Sequence, residues 1–223
     1  MRRTMFLPLL GMLAGSSAAD PGPGGDARLV PLPPPDGSAE LDLGEALRQR
    51  RSVREFSEDS LTLEEISELL WAAQGVTGTK GQRTATSAGA LYPLEIRVVV
   101  GRVSGLSEAV HRYRPHAHEL APGASGDRRK RLAVAALDQE WVANAAAILV
   151  ISAVYERTTG KYGGRGERYV HMEVGHAAQN VLLRAASLRL GAVMVGAFDD
   201  ARVARVLELP AEERALAIIP VGR

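Results

Sequence analysis

Three arginines and a serine crowd into five positions at Arg50-Arg51-Ser52-Val53-Arg54. Like charges this close repel one another, and the grouping makes sense when an anion sits among them; guanidinium forks suit a phosphate, which they bind bidentately. A solvated basic helix end, favourable to the helix dipole, is the plainer account of the same residues. Further along, Ser87-Ala88-Gly89 is small enough for the backbone to approach a ligand closely, and Pro93 fixes the chain just before a strand. An ordinary turn entering a strand would carry the same residues. Two glycine-rich stretches, Gly75-Val76-Thr77-Gly78 and Gly163-Gly164-Arg165-Gly166, lack both the Gly-x-Gly-x-x-Gly spacing between strand and helix and the Walker pattern, so a stable nicotinamide site of the Rossmann kind is not expected. Any phosphate must then be held by side chains.

The remaining chemistry-bearing residues are sparser. His116 and His118 sit at an expected hairpin tip without a third ligand nearby, and no metal site is expected. His171 and His176, five apart, align poorly on one helix face and read as buried polar contacts or as the border of a bound ligand. Arg128-Arg129-Lys130-Arg131 reads as a solvated charge run, and Trp71 and Trp141 as core or interface aromatics. With no cysteine in 223 residues there is no disulfide, thiolate nucleophile or iron–sulfur cluster. A formal net charge of +1 points to neither nucleic acid nor an anionic membrane as partner.

The elements that must position these residues follow from pattern. Met1-Arg2-Arg3-Thr4, a short apolar run and Ser17-Ala18-Ala19 read as an export signal over residues 1–19, too short for a membrane anchor and consistent with a periplasmic protein; a frayed N-terminal extension of a cytoplasmic protein is the alternative. Residues 20–40, with Pro33-Pro34-Pro35, read as an extended linker, which leaves one domain over 41–223. Leu43, Ala46 and Leu47 predict a short helix that delivers Arg50 to Arg54 at its end. Thr62 and Glu65 form a capping box for a helix whose stripe is Ile66, Leu69, Leu70 and Ala73, stopped by Gly75. Gly75 to Ala90 is a loop long enough to line a ligand.

Ile96 to Val100 is a strand, and Val110 to Tyr113 with Glu119 to Ala121 a hairpin at the sheet edge. Asp127 to Leu137 is a helix, and Ala146 to Val154 is apolar enough to be buried on both faces. Val170, Val174, Ala177, Val181, Ala185 and Leu188 keep helical spacing over Glu167 to Leu190, with Gly191 as the stop. A strand at Ala192–Val195, a helix capped by Asp199 or Asp200 and a closing strand at Ala217–Val221 complete an α+β domain.

Arg-x-Ser-x-Arg near the start, Ser87-Ala88-Gly89-Ala90-Leu91-Tyr92-Pro93-Leu94-Glu95 before a strand, and Pro220-Val221-Gly222-Arg223 after the last strand resemble, in this order, the nitroreductase superfamily of FMN enzymes. The middle segment is similar to the azoline-dehydrogenase (SagB/ThcOx) branch. The resemblance covers about Leu41 to Arg223 and implies a nitroreductase-like fold: a central mixed or antiparallel sheet sandwiched by helices, in a homodimer with FMN at the subunit interface. It carries Arg50, Arg51, Ser52, Arg54 and Arg223 over as ligands of the FMN phosphate and ribityl chain, although the carboxylate of Arg223 would partly cancel its guanidinium. It makes Ser87, Gly89 and Leu91 contributors to the partner subunit's flavin site and Gly196 a backbone contact of the isoalloxazine.

Lys161-Tyr162, read as part of a polar loop, resembles the pair with which azoline dehydrogenases remove a proton while hydride goes to the flavin. Such a lysine must be desolvated or stand beside another cation, a field Arg165 would supply; a solvated Lys next to a packed Tyr is the plainer account. The activity implied is that of an FMN-dependent oxidoreductase passing hydride through flavin N5 in two half-reactions, from NAD(P)H or a small organic reductant to an electron-poor acceptor. The alternatives are oxidation of peptide thiazolines or oxazolines to azoles, and flavin binding without catalysis.

Overall fold

The computed structural model describes residues 28–36 and 41–223. The expected export signal, residues 1–19, lies outside them. Seven helices are present among the described residues: α1 (Leu43–Gln49), α2 (Leu63–Gln74), α3 (Arg129–Ala135), α4 (Glu140–Asn144), α5 (Glu156–Tyr162), α6 (Arg165–Ser187) and α7 (Asp200–Leu207). The strands are β1 (Val30–Pro31), β2 (Leu94–Val100), β3 (Ala109–Arg114), β4 (Glu119–Ser125), β5 (Ala147–Val154), β6 (Gly191–Ala192) and β7 (Glu213–Gly222). They form one sheet in the order β1-β4-β3-β2-β5-β7-β6, and every neighbouring pair of strands is antiparallel.

Alternation along the central strands divides the core between two faces. On one, Ile96, Val98 and Val100 of β2 and Leu149 and Ile151 of β5 meet Ile66, Leu69 and Leu70 of α2 and Val170, Val174 and Val181 of α6. On the other, Val99, Ile148 and Val150 meet Leu132 of α3, Val142 of α4 and Val203 of α7. Both faces being covered is why β5 reads as an unbroken apolar run, and the expected α+β sandwich is observed. One charged group is built into this interior. Arg97 of β2 donates to Glu213 of β7 at 2.5 and 2.9 Å, and Ser152 of β5 adds a bond to the same carboxylate at 2.9 Å.

The α2 capping box forms as expected, with Glu65 N–H donating to Thr62 Oγ1 and Thr62 N–H to Glu65. Four expectations are corrected. The Pro/Gly-rich segment is not wholly linker: Val30 and Pro31 pair with Leu120 and Glu119, so β1 covers the sheet edge assigned to the β3–β4 hairpin. Side-chain contacts invisible to a compositional reading hold it there. Leu32 is buried, and the Pro33 carbonyl accepts from Ser67 Oγ at 2.6 Å and from His118 Nε2 at 2.8 Å. Because a carbonyl can only accept, His118 Nε2 donates to it, and Nδ1 accepts a hydrogen bond from the Tyr113 hydroxyl at 2.9 Å, which commits the ring to structure.

The helix expected over 127–137 is shorter and is followed by a second one, α4. The polar loop expected around Lys161 is the helix α5. Its two threonines and Gly160 give poor helix propensity and only Thr158 is buried, so its formation depends on packing against α6. That contact is close: a Cβ on Gly166 would lie 2.8 Å from the Thr159 backbone. Finally, α6 ends at Ser187 and its left-handed residue is Arg189, not Gly191.

Candidate functional site

The arginine segment leaves the end of α1 as extended loop and lies across the end of the sheet. The Val53 amide donates to the Ala192 carbonyl at 3.0 Å and the Ser57 amide to the Arg223 carbonyl at 2.6 Å. Two glycines make room for it. A Cβ on Gly191 would meet Val53 at 2.7 Å, and one on Gly222 would meet Phe56 at 2.9 Å. Thus Gly191 serves as a close-packing position rather than a helix stop, and the sheet's end brings Arg50, Arg51, Ser52 and Arg54 to the neighbourhood of Arg223.

Within this group the arginines are used differently. Arg51 turns back to donate to the carbonyls of Arg48 and Arg50, each at 2.8 Å. Arg54 stands over the Trp141 ring at 5.6 Å from its centroid. Among the described residues neither Arg50, Arg51 nor Arg54 has a carboxylate partner, and the Ser52 hydroxyl makes no hydrogen bond. Arg223, by contrast, is paired with Glu65 at 2.5 Å. Sequence reasoning assigned Glu65 only to the capping box, but its second oxygen reaches the chain end.

Gly196 belongs to the same region. The stretch from Gly191 runs antiparallel to the end of β7, with Gly191 opposite Gly222, Ala192 opposite Val221 and Val195 opposite Ile218. Gly196 follows in the open, with no heavy atom within 4 Å of where a Cβ would stand and no protein acceptor for its N–H among the described residues. Gln139, beside Trp141, donates to the next carbonyl, that of Ala197, at 2.9 Å.

Ser87, Gly89 and Leu91 lie elsewhere, on a turn that faces α5. Gly89 has φ 64°, and Ala90 at 55° and Tyr92 at 46° share its left-handed conformation, unusual for residues with side chains. The Ser87 hydroxyl is used inside the turn, accepting from the Tyr92 amide at 2.9 Å. A Cβ on Gly89 would come within 2.7 Å of the Tyr162 hydroxyl and 3.0 Å of Lys161 Nζ. The structure therefore brings Gly89, Lys161 and Tyr162 together within one chain. Lys161 is exposed, 5.4 Å from the Tyr162 ring centroid, and Tyr162 stacks edge-on to Tyr169 at 5.1 Å. Arg157 ties α5 to the start of β2, donating to the Tyr92 carbonyl at 3.1 Å and to Glu95 at 2.7 Å.

Three α6 residues hold the turn from beneath, and their i, i+3, i+7 spacing is the signal that sequence reading missed. Glu173 accepts from the Ala88 amide at 2.8 Å, His176 Nδ1 and Thr86 Oγ1 are in contact at 3.1 Å, and Asn180 donates to the Thr84 carbonyl at 3.2 Å. Burial pushes the Glu173 carboxyl above the usual glutamate range, against the Ala88 amide, the Ser87 hydroxyl and His176, which favour the charged form.

The expected site residues thus fall into two groups set apart along α6, one just past its C-terminal end and one near its middle. The arginine group packs at Gly191, just beyond the helix's last residue, Ser187; the turn packs at Glu173. Fourteen helical steps lead from Glu173 to Ser187, roughly 21 Å at 1.5 Å per residue.

The sequence profile of the nitroreductase family matches residues 47–223. A curated protein of Methanocaldococcus jannaschii, by name a nitroreductase, is 48% identical over 199 residues, covering 89% of this chain and 98% of its own length. A Ralstonia eutropha structure, also named as a nitroreductase, superimposes with a TM-score of 0.78 at 30% identity over 90% of this chain and 91% of that one. A Desulfovibrio desulfuricans nitroreductase in complex with FMN shares the fold, with a TM-score of 0.58 and 24% identity over 82% of this chain and 86% of that one. With the profile spanning nearly the whole folded domain and a relative almost half identical along its length, this chain belongs to the nitroreductase family and is an oxidoreductase.

Proposed function

We propose that the protein is an FMN-dependent oxidoreductase that works as a homodimer, taking reducing equivalents from NAD(P)H or a small organic reductant and passing them to an electron-poor acceptor. The observation that carries this reading is the set of arginines without carboxylate partners at the end of the sheet, beside an exposed glycine whose amide is free. Guanidiniums clustered at one place without a carboxylate among them suit an anionic ligand such as a phosphate, which they bind bidentately.

The residues present fit FMN. Arg50, Arg54 and the Ser52 hydroxyl would hold its phosphate, with Arg51 and Arg223 available after release from the Arg48 and Arg50 carbonyls and from Glu65. The Gly196 N–H would donate to the ring system. When bound, the flavin supplies the hydride chemistry of both half-reactions. The separation of the two groups along α6 favours a dimer, because roughly 21 Å of helix lies between Glu173, which anchors the Ser87–Leu91 turn, and Ser187, beside the arginine group. A second copy would contribute that turn.

A second reading is favoured by one contact. Lys161 and Tyr162 both stand against Gly89, a position from which Lys161 Nζ would take a proton from a substrate seated on the turn. This suits dehydrogenation of a peptide azoline, for which Lys161 must be neutral at the moment of attack; its exposure counts against that.

Absorption spectra of purified protein, before and after anaerobic addition of NADH or NADPH, test the first reading. A flavin band that bleaches rapidly supports it, and protein that neither contains nor takes up FMN overturns it. In the holoprotein, Lys161→Ala with Tyr162→Phe should keep reductase turnover within about tenfold, whereas loss of about 10²–10⁴ would move the assignment to the second reading.

A further inference from the structure

The turn at Ser87–Leu91 runs through left-handed conformations at Gly89 and Ala90 and again at Tyr92. Backbone of this kind persists where its surroundings over-determine it. Beneath the turn lies Glu173, only 3% exposed, with one oxygen accepting from the Ala88 amide at 2.8 Å and the other, Oε2, buried without a partner. A buried carboxylate with one orphan oxygen is unfavourable in itself. Its neighbours offset the burial only in part: the Ser87 hydroxyl and His176, one helical turn on, favour the charged form, and Lys161 stands on the far side of the turn, against Gly89. What Glu173 does supply is an acceptor for the Ala88 amide of the half-buried, left-handed turn.

We infer that Glu173 is a positioning residue: it fixes the Ser87–Leu91 turn from α6, and through Gly89 the turn fixes where Lys161 and Tyr162 stand at the flavin site. The chain of contacts is short and continuous, from Glu173 to the Ala88 amide, and from the adjoining Gly89 to Tyr162 and Lys161. Tyr169, one turn before Glu173 on α6, closes the circle by stacking on Tyr162. This inference rests on the flavin reading above, and its test keeps the two separable.

The test uses the full chain loaded with FMN and two variants. Glu173→Gln keeps the acceptor oxygen; Glu173→Met is similar in length and apolar, fills the same space and removes the acceptor, so it relieves a buried carboxylate rather than opening a cavity. Two signals are read: visible circular dichroism of the bound flavin, and hydrogen exchange of the 84–92 segment. In Glu173→Met, exchange should quicken at least about tenfold as the turn opens locally, and the flavin dichroism should change while FMN stays bound. Glu173→Gln should match wild type in both. A Met variant with unchanged exchange or unchanged dichroism overturns the role, and so does a Gln variant as altered as the Met one. If wild type takes up no FMN, the flavin reading fails and this role with it; failure of the Met variant in a flavin-loaded protein removes the Glu173 role alone.

Discussion

Gly89→Ala separates what the turn contributes to stability from what it does for the residues beside it. A methyl group at this φ of 64° carries the left-handed penalty of roughly 1–2 kcal/mol. It also stands 2.7 Å from the Tyr162 hydroxyl and 3.0 Å from Lys161 Nζ, and ordinary contact begins near 3.4 Å, so the two groups must retreat by about 0.7 and 0.4 Å. Both are the far ends of flexible side chains, so the strain is that of off-rotamer angles, about 0.5–1.5 kcal/mol. The variant should therefore lose about 1.5–3.5 kcal/mol, or about 3–14 °C in melting temperature for a domain this size. In a Lys161→Ala, Tyr162→Phe background the nearest obstacles are gone, the remaining ring carbon lies 3.5 Å away, and only the backbone penalty should persist. The same substitution there should cost about 1–2 kcal/mol, a melting shift of about 2–8 °C. Thermal and urea unfolding of the four proteins close the double-mutant cycle. Equal losses in the two backgrounds would refute the steric link between Gly89 and the Lys161–Tyr162 pair, and a loss well above 4 kcal/mol in wild type would mean that the backbone itself cannot accommodate the methyl.

Replacing Arg50 and Arg54 together with Ala should strip FMN while leaving the fold: each charge-assisted contact is worth about 1.5–3 kcal/mol, so affinity measured by flavin fluorescence should fall by about two to four decades, and a fully yellow double mutant contradicts the clamp. Neither arginine has an acidic partner to lose; the Trp141 stack of Arg54 is worth only about 0.5–1 kcal/mol. Dimer and flavin content should fall together on dilution, checked by light scattering with absorbance, and a monomer retaining stoichiometric FMN rules out a shared site. For Glu213, burial raises the carboxyl's pKa but the Arg97 guanidinium outweighs it and holds it below the usual glutamate range. Its stabilisation is therefore present above the unfolded-state value and disappears as pH falls through the lower folded-state value, so urea midpoints should drop on acidification below about pH 5. Glu213→Gln should flatten that acid limb and lose about 3–5 kcal/mol at neutral pH, since it leaves Arg97 buried and uncompensated; an unchanged acid limb refutes the assignment.

The sequence by itself determined much of this protein. Hydrophobic pattern fixes α2, α6 and β5, the helices because each buries one face that imposes its spacing and the strand because burial on both faces leaves an unbroken apolar run, and the Thr62–Glu65 capping box is a purely local device. The arginine cluster and the Gly89 turn were legible for a similar reason: close charges and a residue without a side chain are anomalies that need no neighbour to be noticed. Tertiary structure decided the rest. β1 is two residues long and exists only through partners on β4, α2 and the hairpin tip; α5 has no amphipathic stripe and forms against Gly166. That Lys161 and Tyr162 stand against Gly89, that Glu65 holds Arg223, and that Glu173 supports the turn are contacts between residues far apart in the chain. Nothing in a linear pattern encodes which residues of a helix distant segments will meet, so the separation of the two site groups along α6 is a property of the tertiary structure alone.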